Sequence, residues 1–272
     1  MSAEARLSAP LACEPGARGM SASWVARPTA DGSWTLEAAE LGETCHSLAG
    51  AWQQARERYA QGCRLAERAG AHAELALLDV GTGLGLNLAA ALAELDGTGA
   101  ALHALTLERA PEVIAAGCAL YERPELRAGP WAPWHAPVRA ALRRALAAPG
   151  TAVDLGGRGT LTLRLGDARA TLEAADAGPF DAVFLDPFSP RRAPELWEEP
   201  FLAAIARRMA PGSWLATYSA AFRVRLGLAR AGLRVGQGPR VGAKGEGTLA
   251  GRDVLPPELP SRLRRRLARR CT

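Results

Sequence analysis

Lysine is almost absent from this chain of 272 residues: Lys244 stands alone against 32 arginines. A bias that strong reflects an arginine- and alanine-rich coding habit, and it singles out the one surviving lysine. Sulfur and imidazole are sparse too, with five cysteines (13, 45, 63, 118 and 271) and four histidines. The cysteines form no C-x-x-C pair, so neither a zinc site nor a disulfide framework is indicated. No metal is expected, and reduced thiols suit a cytoplasmic protein. No apolar run approaches the roughly 18 residues of a membrane span, and Met1 to Met20 lacks the basic-then-apolar layout of a signal peptide. A membrane partner is therefore not expected. Positive charge is also scarcer than the net +5 implies. The segment SRLRRRLARRCT (261 to 272) holds six arginines and no acid, so the rest of the chain carries about one net negative charge. Such a tail can hold phosphates by counterion release, or simply form a solvated last helix.

What remains is ample for a core: 48% of the residues are hydrophobic. Residues 1 to 33, rich in Ala, Ser, Pro and Gly, read as a loose arm with a hairpin around Asp31-Gly32. From Ser47 to Ala69, Leu48, Trp52, Ala55, Tyr59 and Leu65 recur at near-helical spacing. LALLDV (75 to 80), ALHALTLE (101 to 108), TLTLRLGDA (160 to 168), FDAVFLD (180 to 186) and SWLATYS (213 to 219) read as strands. Helices fall between them: an alanine-rich one after GTGLGLN, PEVIAAGCALYE, ELWEEPFLAAIARRMAPG ended by Pro-Gly, and AFRVRLGLARAG closing on Gly232. Short strands are expected near LRVG and GTLAG. Residues 123 to 158, with Trp131 and Trp134, show only the helix-like VRAALRRALAA clearly. This alternation predicts a Rossmann-like α/β fold with a mostly parallel, seven-stranded sheet and helices on both faces. In such sheets ligands bind at the carboxyl ends of the strands, where strand order reverses.

The strand ends carry the distinctive groups. After LALLDV come Gly81, Gly83 and Gly85, a turn that lets backbone approach a ligand closely. Position 86 is Leu, so the dinucleotide fingerprint is broken, and no Walker lysine follows. Asp79, Thr82 and Asn87 flank the same turn as candidate cofactor contacts. Glu108 ends the next strand, where a carboxylate offers paired acceptors to a ribose diol. Asp167 and Ala168 end the third, with Asp167 able to accept from an adenine amino group. Each acid could equally be a helix N-cap, and a glycine turn can serve packing alone. In this order, at these strand ends, they point to an S-adenosylmethionine pocket rather than a dinucleotide or phosphate site. In FDAVFLDPFSP (180 to 190) an apolar strand delivers Asp186 at its tip, followed by Pro187 and Phe188. A carboxylate there is placed to meet the donor's ammonium and an incoming amine, whose lone pair it would aim at the methyl group.

ETCHSLAGAWQQARERY (43 to 59), LLDVGTGLGLN, LTLE, GDA, FDAVFLDPFSPRRAPELW and LATYSAAFRVRLGLARAGLRV together resemble the methyltransferase domain of MnmC-type tRNA-modifying proteins. The resemblance runs from about Glu43 to Leu249; its most specific part is Asp186, Phe188, Pro190, Pro194 and Trp197 in a D-x-F-x-P-x-x-x-P-x-x-W block. It implies a class I S-adenosylmethionine-dependent methyltransferase. The substrate it implies is the aminomethyl group of a tRNA wobble uridine, 5-aminomethyl(-2-thio)uridine becoming the 5-methylaminomethyl form. Asp186 would act at the reacting amine, while Gly81, Gly83, Glu108 and Asp167 would line the cofactor. Phe188, Pro187, Trp197, His46 and Lys244 are candidate acceptor-side residues. The family's glycine-arginine-lysine-arginine run is replaced by GAKGEG, and Asp-Pro-Phe stands for its usual Asp-Gly-Phe. A flavin oxidoreductase domain is not expected, so the aminomethyl precursor is expected from another enzyme. The organisation expected is an arm (1–42), a methyltransferase domain (43–255) and a basic tail (256–272). Two other readings stay open: a methyltransferase or aminopropyl transferase acting on a small-molecule amine, and an inactive cofactor- or tRNA-binding module.

Overall fold

The computed structural model describes residues 23–242 and 244–271, with the side chain of Lys244 excepted. Its first element is an ordered sheet where a loose arm was expected: β1 (Trp24–Pro28), β2 (Trp34–Ala38) and β3 (Glu43–Thr44), all antiparallel. The expected turn at Asp31-Gly32 joins β1 to β2, with Gly32 at φ 82°. Two causes hold this hairpin. Trp24, Ala26, Trp34 and Leu36 are buried in the main core, and Asp31 accepts hydrogen bonds from Ser33 N (3.1 Å) and from Gln53 N of the following helix (2.8 Å). The expectations for residues 1 to 22 lie outside the described residues.

The expected helix over 47–69 is three pieces: α1 (Ala51–Gln53), a π-helical stretch Gln54–Ala60, and α2 (Leu65–Ala69). Arg64 breaks the last two apart in a left-handed conformation, φ 54°. Trp52, Ala55, Tyr59 and Leu65 are buried as their spacing predicts, whereas Leu48 precedes the helix and is exposed. The wider π turn brings Gln54, Arg58 and Tyr59 inward together. Such turns inside helices often mark functional sites.

Then follow β4 (Glu74–Val80), α3 (Leu86–Glu94), β5 (Ala101–Glu108), α4 (Pro111–Leu120), α5 (Ala132–Ala147), β6 (Ala152–Asp154), β7 (Gly159–Leu165), α6 (Ala168–Glu173), β8 (Phe180–Leu185), α7 (Glu199–Arg207), β9 (Met209–Thr217), α8 (Phe222–Arg230), β10 (Arg234–Val241), β11 (Lys244–Gly251) and α9 (Ser261–Cys271). The sheet order is β10-β11-β9-β8-β4-β5-β7-β6. It has eight strands where seven were expected, because β6 adds an antiparallel edge of three residues beside β7. β4, β5, β7, β8 and β9 are parallel, and β10 and β11 antiparallel. Pro211-Gly212 does not end a helix as expected. α7 stops at Arg207, and the dipeptide sits in an irregular start of β9. The two strands expected to be short are eight residues each.

Successive residues of β4 point to opposite faces. Leu75 and Leu77 join the core under α1, α3 and α5, while Leu78 and Val80 join the core under α6, α7 and α8. Helices therefore cover both faces, as a parallel sheet requires. The chain builds outward from β4 through β5 to β7, then returns to build β8 and β9 on β4's other side. The strand order reverses between β4 and β8, and the ligand crevice of such folds opens at their carboxyl ends.

Candidate active site

The β4 and β8 tips come within contact at that crevice. Asp186 N donates to Val80 O (2.9 Å), and Gly81 N to Leu107 O at the end of β5 (3.0 Å). Gly81 has φ 91°, and a Cβ there would lie 2.6 Å from the Asp186 carbonyl, so only glycine fits. Beside these tips lies a cavity of about 950 Å³ lined by Gly81, Gly83, Glu108, Asp167, Ala168, Asp186, Pro187, Phe188 and His46, among others. That volume is at the upper end for small-ligand sites.

Asp186 is the most strongly organised group in it. One carboxylate oxygen accepts from the Tyr59 hydroxyl and the other from Asn87 Nδ2 (2.9 Å). Burial pushes its pKa up to about 7, while the Tyr59 and Asn87 hydrogen bonds and the nearby Arg58 charge pull the other way. The loop behind it is braced on every side. Tyr218 donates its hydroxyl to Pro187 O (2.9 Å), and Trp197 Nε1 donates to Phe188 O (2.9 Å). Ser189 is held from β3 by Glu43, which accepts from its N–H (3.1 Å) and its hydroxyl (2.5 Å). Phe188 stacks on Trp24 of β1, ring centroids 6.3 Å apart.

The opposite end of the cavity is acidic. Glu108 accepts from Arg109 N (2.8 Å) and Ala110 N (3.0 Å) through one oxygen, and from Gly83 N (3.0 Å) through the other. It thus ties the glycine turn to β5 while facing the cavity. Asp167 caps α6, accepting from Arg169 N (2.9 Å), and pairs with the Arg169 guanidinium (2.5 Å), which helps hold its pKa near 2. The cap possibility raised for both acids is realised at Asp167 alone, since no side chain caps the helix that follows Glu108, and both carboxylates line the cavity.

Do these residues fit an adenosyl sulfonium donor? A Cβ on Gly83 would meet nothing within 4 Å, so the floor beneath the turn is open where backbone can approach a ligand. Carboxylates stand at Glu108 for a ribose diol and at Asp186 for a cationic end. The geometry and the donor set fit.

The comparisons with known proteins agree. Residues 134–253 match the model of an S-adenosyl-L-methionine-dependent methyltransferase family. The tRNA 5-methylaminomethyl-2-thiouridine biosynthesis bifunctional protein MnmC of Chromobacterium violaceum is 34% identical over 217 residues, covering 76% of this chain and 31% of its own length. Its counterpart from Azoarcus sp. is 36% identical over 211 residues, covering 75% and 32%. The chain thus spans about a third of the length of these curated relatives. The crystal structure of MnmC2 from Aquifex aeolicus superposes with a TM-score of 0.74 at 30% identity, over 92% of this chain and 77% of that one. The chain belongs to the MnmC-type methyltransferase family. It is an S-adenosylmethionine-dependent methyltransferase, and the cavity at β4 and β8 is where its fold binds ligands.

Several residues singled out in the sequence stand behind the methyltransferase's cavity rather than on its wall. Asp79 is fully buried; it accepts from the Thr106 hydroxyl (2.8 Å), which in turn meets the Thr82 hydroxyl (2.5 Å). Burial pushes the Asp79 pKa well up. Asp79 and Thr82 form a strut beneath the turn. Gly85, φ 77°, makes room for α5: a Cβ there would lie 2.7 Å from Leu142 Cδ1. Asn87 spends its amide N–H on Asp186, and Trp197 is buried against Tyr218, holding the Phe188 carbonyl. His46 does line the cavity, and burial lowers its pKa to about 4, so it faces the site neutral. Lys244 opens β11, and its side chain lies outside the described residues.

Among the residues missed as site residues are Tyr59, Arg58, Tyr218 and Glu43. Tyr59 was assigned to the apolar face of its helix, which is correct for its ring and silent about its hydroxyl. Nothing local could have found its partner, since Asp186 is 127 residues away.

Proposed function

We propose that this methyltransferase N-methylates the aminomethyl group of a tRNA wobble uridine, converting 5-aminomethyl(-2-thio)uridine to its 5-methylaminomethyl form. The observation that carries the reading is Asp186: a desolvated carboxylate, held by Tyr59 and Asn87, at the tip of β8 in a chain of the MnmC type. Bound S-adenosylmethionine would supply an electrophilic methyl group on sulfur, with Gly81, Gly83, Glu108, Asp167 and Ala168 as the residues holding it. The acceptor amine must present its lone pair. Asp186 has about two acceptor positions left after Tyr59 and Asn87, enough for one hydrogen of the donor's ammonium and one of the acceptor amine, which sets the nitrogen's direction. Were the C–N bond to form as the methyl–sulfur bond breaks, its electron pair staying on the departing thioether, the nitrogen would gain positive charge and pass a proton to Asp186 or to water. The Pro187 and Phe188 carbonyls each already accept one hydrogen bond, so the carboxylate carries the orientation. Tyr218, Trp197 and Glu43 keep that loop in place. The acceptor is envisaged as a tRNA anticodon stem-loop, and an aminomethyl-forming enzyme would act upstream.

The deciding experiment incubates purified protein and labelled S-adenosylmethionine with bulk tRNA from cells unable to complete wobble-uridine modification. Label in 5-methylaminomethyluridine is the expected result. No label, with cofactor binding confirmed separately, would defeat the tRNA reading in favour of a small-molecule amine. That alternative has one observation behind it: the rim arginines Arg27, Arg109 and Arg192 are each paired with an acid, leaving little free charge for phosphates. Asp186→Ala should lower turnover by about a hundredfold or more while the cofactor still binds, though less tightly without the partner of its ammonium. Normal turnover by that variant would sink the mechanism.

A further inference from the structure

Four arginines line the cavity, and among the described residues only one of them lacks an acid partner. Arg58, on the π stretch, is only 4% exposed, yet among the described residues its Nε and one terminal nitrogen have no hydrogen-bond partner. Its other terminal nitrogen reaches Gly245 O, at 3.4 Å, and no other acceptor among the described residues. The nearest acid on β11, Glu246, is already taken by Arg225 (3.0 Å) and by Gln237. Asp186 is close enough to share its field, yet among the described residues it is hydrogen-bonded to Tyr59 and Asn87 and not to Arg58. A guanidinium buried without a partner is strongly unfavourable, so such a group persists where something else neutralises it. Burial lowers its pKa, and the neighbouring Asp186 works against that shift.

Its place along the cavity says what that anion is. Carboxylates line the far end at Asp167 and Glu108. At the near end a carboxylate, Asp186, stands beside an unpaired cation. An adjacent buried minus and plus complement a zwitterion, and the amino-acid end of S-adenosylmethionine is one: an ammonium next to a carboxylate. We propose that Arg58 receives the α-carboxylate of the methyl donor and makes the enzyme select the carboxylated donor over its decarboxylated form. This rests on the cavity being the donor site. The planar fork of arginine suits a carboxylate, which can accept two parallel N–H bonds. The consequence reaches past affinity. An aminopropyl transferase must accept the decarboxylated donor, which would leave Arg58 buried and uncompensated, so Arg58 sets this cavity against that chemistry.

The test is calorimetric binding of S-adenosylmethionine and of decarboxylated S-adenosylmethionine to wild type, Arg58→Met and Arg58→Lys, without turnover. Wild type should prefer the carboxylated donor by about thirtyfold, the worth of one charge-assisted hydrogen-bond pair. Arg58→Met should bind both donors within about threefold of each other, the loss falling on S-adenosylmethionine alone. Arg58→Lys, which keeps the charge without the fork, should retain part of the preference, and it carries the test if the methionine variant does not fold. Ligand-free Arg58→Met should melt no lower than wild type, because it removes an unpaired buried charge while keeping the apolar stem. A preference that survives in both variants would overturn the assignment, as would equal weakening of both donors, the mark of a merely structural residue. Wild type binding neither donor would overturn the cavity reading itself, and the assignment with it.

Discussion

Asp186 works under two opposed demands. It must be ionised to accept an amine's hydrogens, yet it is desolvated enough that its pKa rises to about 7. Turnover should therefore fall as pH drops through the neutral range. The Tyr59 hydrogen bond lowers that pKa, so Tyr59→Phe should move the acid limb of the rate profile upward by about one pH unit, the worth of a hydrogen bond to a charged group. The acceptor's own ionisation is common to both enzymes, so the difference between them isolates the carboxylate. An unchanged limb would mean that Tyr59 does not act through Asp186. Stability has the opposite sign. A carboxyl raised in the folded state favours folding below its unfolded pKa near 4, and that contribution is lost as pH rises through 7. Urea unfolding of the ligand-free protein should accordingly show wild type losing stability relative to Asp186→Asn between pH 4 and 7.

At the scale of elements, the turn from β4 to α3 shows what spacing reveals and what it hides. Gly81, Gly83 and Gly85 looked alike in the sequence as a cradle, but they do three jobs. Gly81 lets β8 pass, Gly83 leaves ligand space open, and Gly85 admits Leu142. Gly81→Ala should lose about 1–3 kcal/mol of stability, because its methyl would meet the Asp186 carbonyl at 2.6 Å. Gly83→Ala bears a milder backbone strain at φ 50° and no clash. It should melt closer to wild type yet bind S-adenosylmethionine more than about tenfold less tightly, the added methyl lying in the donor's space. Equal effects of the two substitutions on melting would contradict this division. The same contrast explains how far the sequence could be read. Strand tips recur locally, so Glu108, Asp167 and Asp186 were legible, each ending an apolar run. Supports that cross the fold were not: Tyr59 and Glu43 reach the Asp186 loop from over a hundred residues away. Asp79 and Asn87 look like ligand contacts in one dimension because they neighbour the glycines, and only the packed sheet turns them behind the wall. The π stretch was hidden for a related reason. An apolar spacing near four admits either helix, and what decides is the inward demand of Gln54, Arg58 and Tyr59 together.

On the scale of the whole molecule, charge is distributed against composition. The body is close to neutral and the basicity is gathered in α9, whose arginines 262, 264, 265, 266, 269 and 270 are all exposed. The helix is more than a solvated end. Leu267 is buried, Arg266 lies over the Phe222 ring at 3.9 Å, and Arg230 donates to Arg270 O (3.0 Å). That anchors α9 on α8, and Phe222 opens α8 only four residues after Tyr218 on the cavity wall. Among the described residues, Arg264 alone of the six forms an ion pair through its side chain, with Glu258 at 2.7 Å. If tRNA is the substrate, this helix offers a run of positive charge that is mostly without ion pairs among the described residues. Removing residues 261–272 should then weaken tRNA binding at low salt and flatten the plot of log affinity against log salt by about three to five units, roughly 0.7–0.9 for each phosphate no longer neutralised. Donor affinity should not change, because none of α9 lines the cavity. A melting temperature within a few degrees of wild type is also expected, since one buried leucine contributes about 1.5–3 kcal/mol. An unchanged salt slope in a folded, donor-binding truncation would show that tRNA is gripped elsewhere or that the acceptor is a small amine. Label appearing in tRNA with the truncated enzyme would then separate those two outcomes.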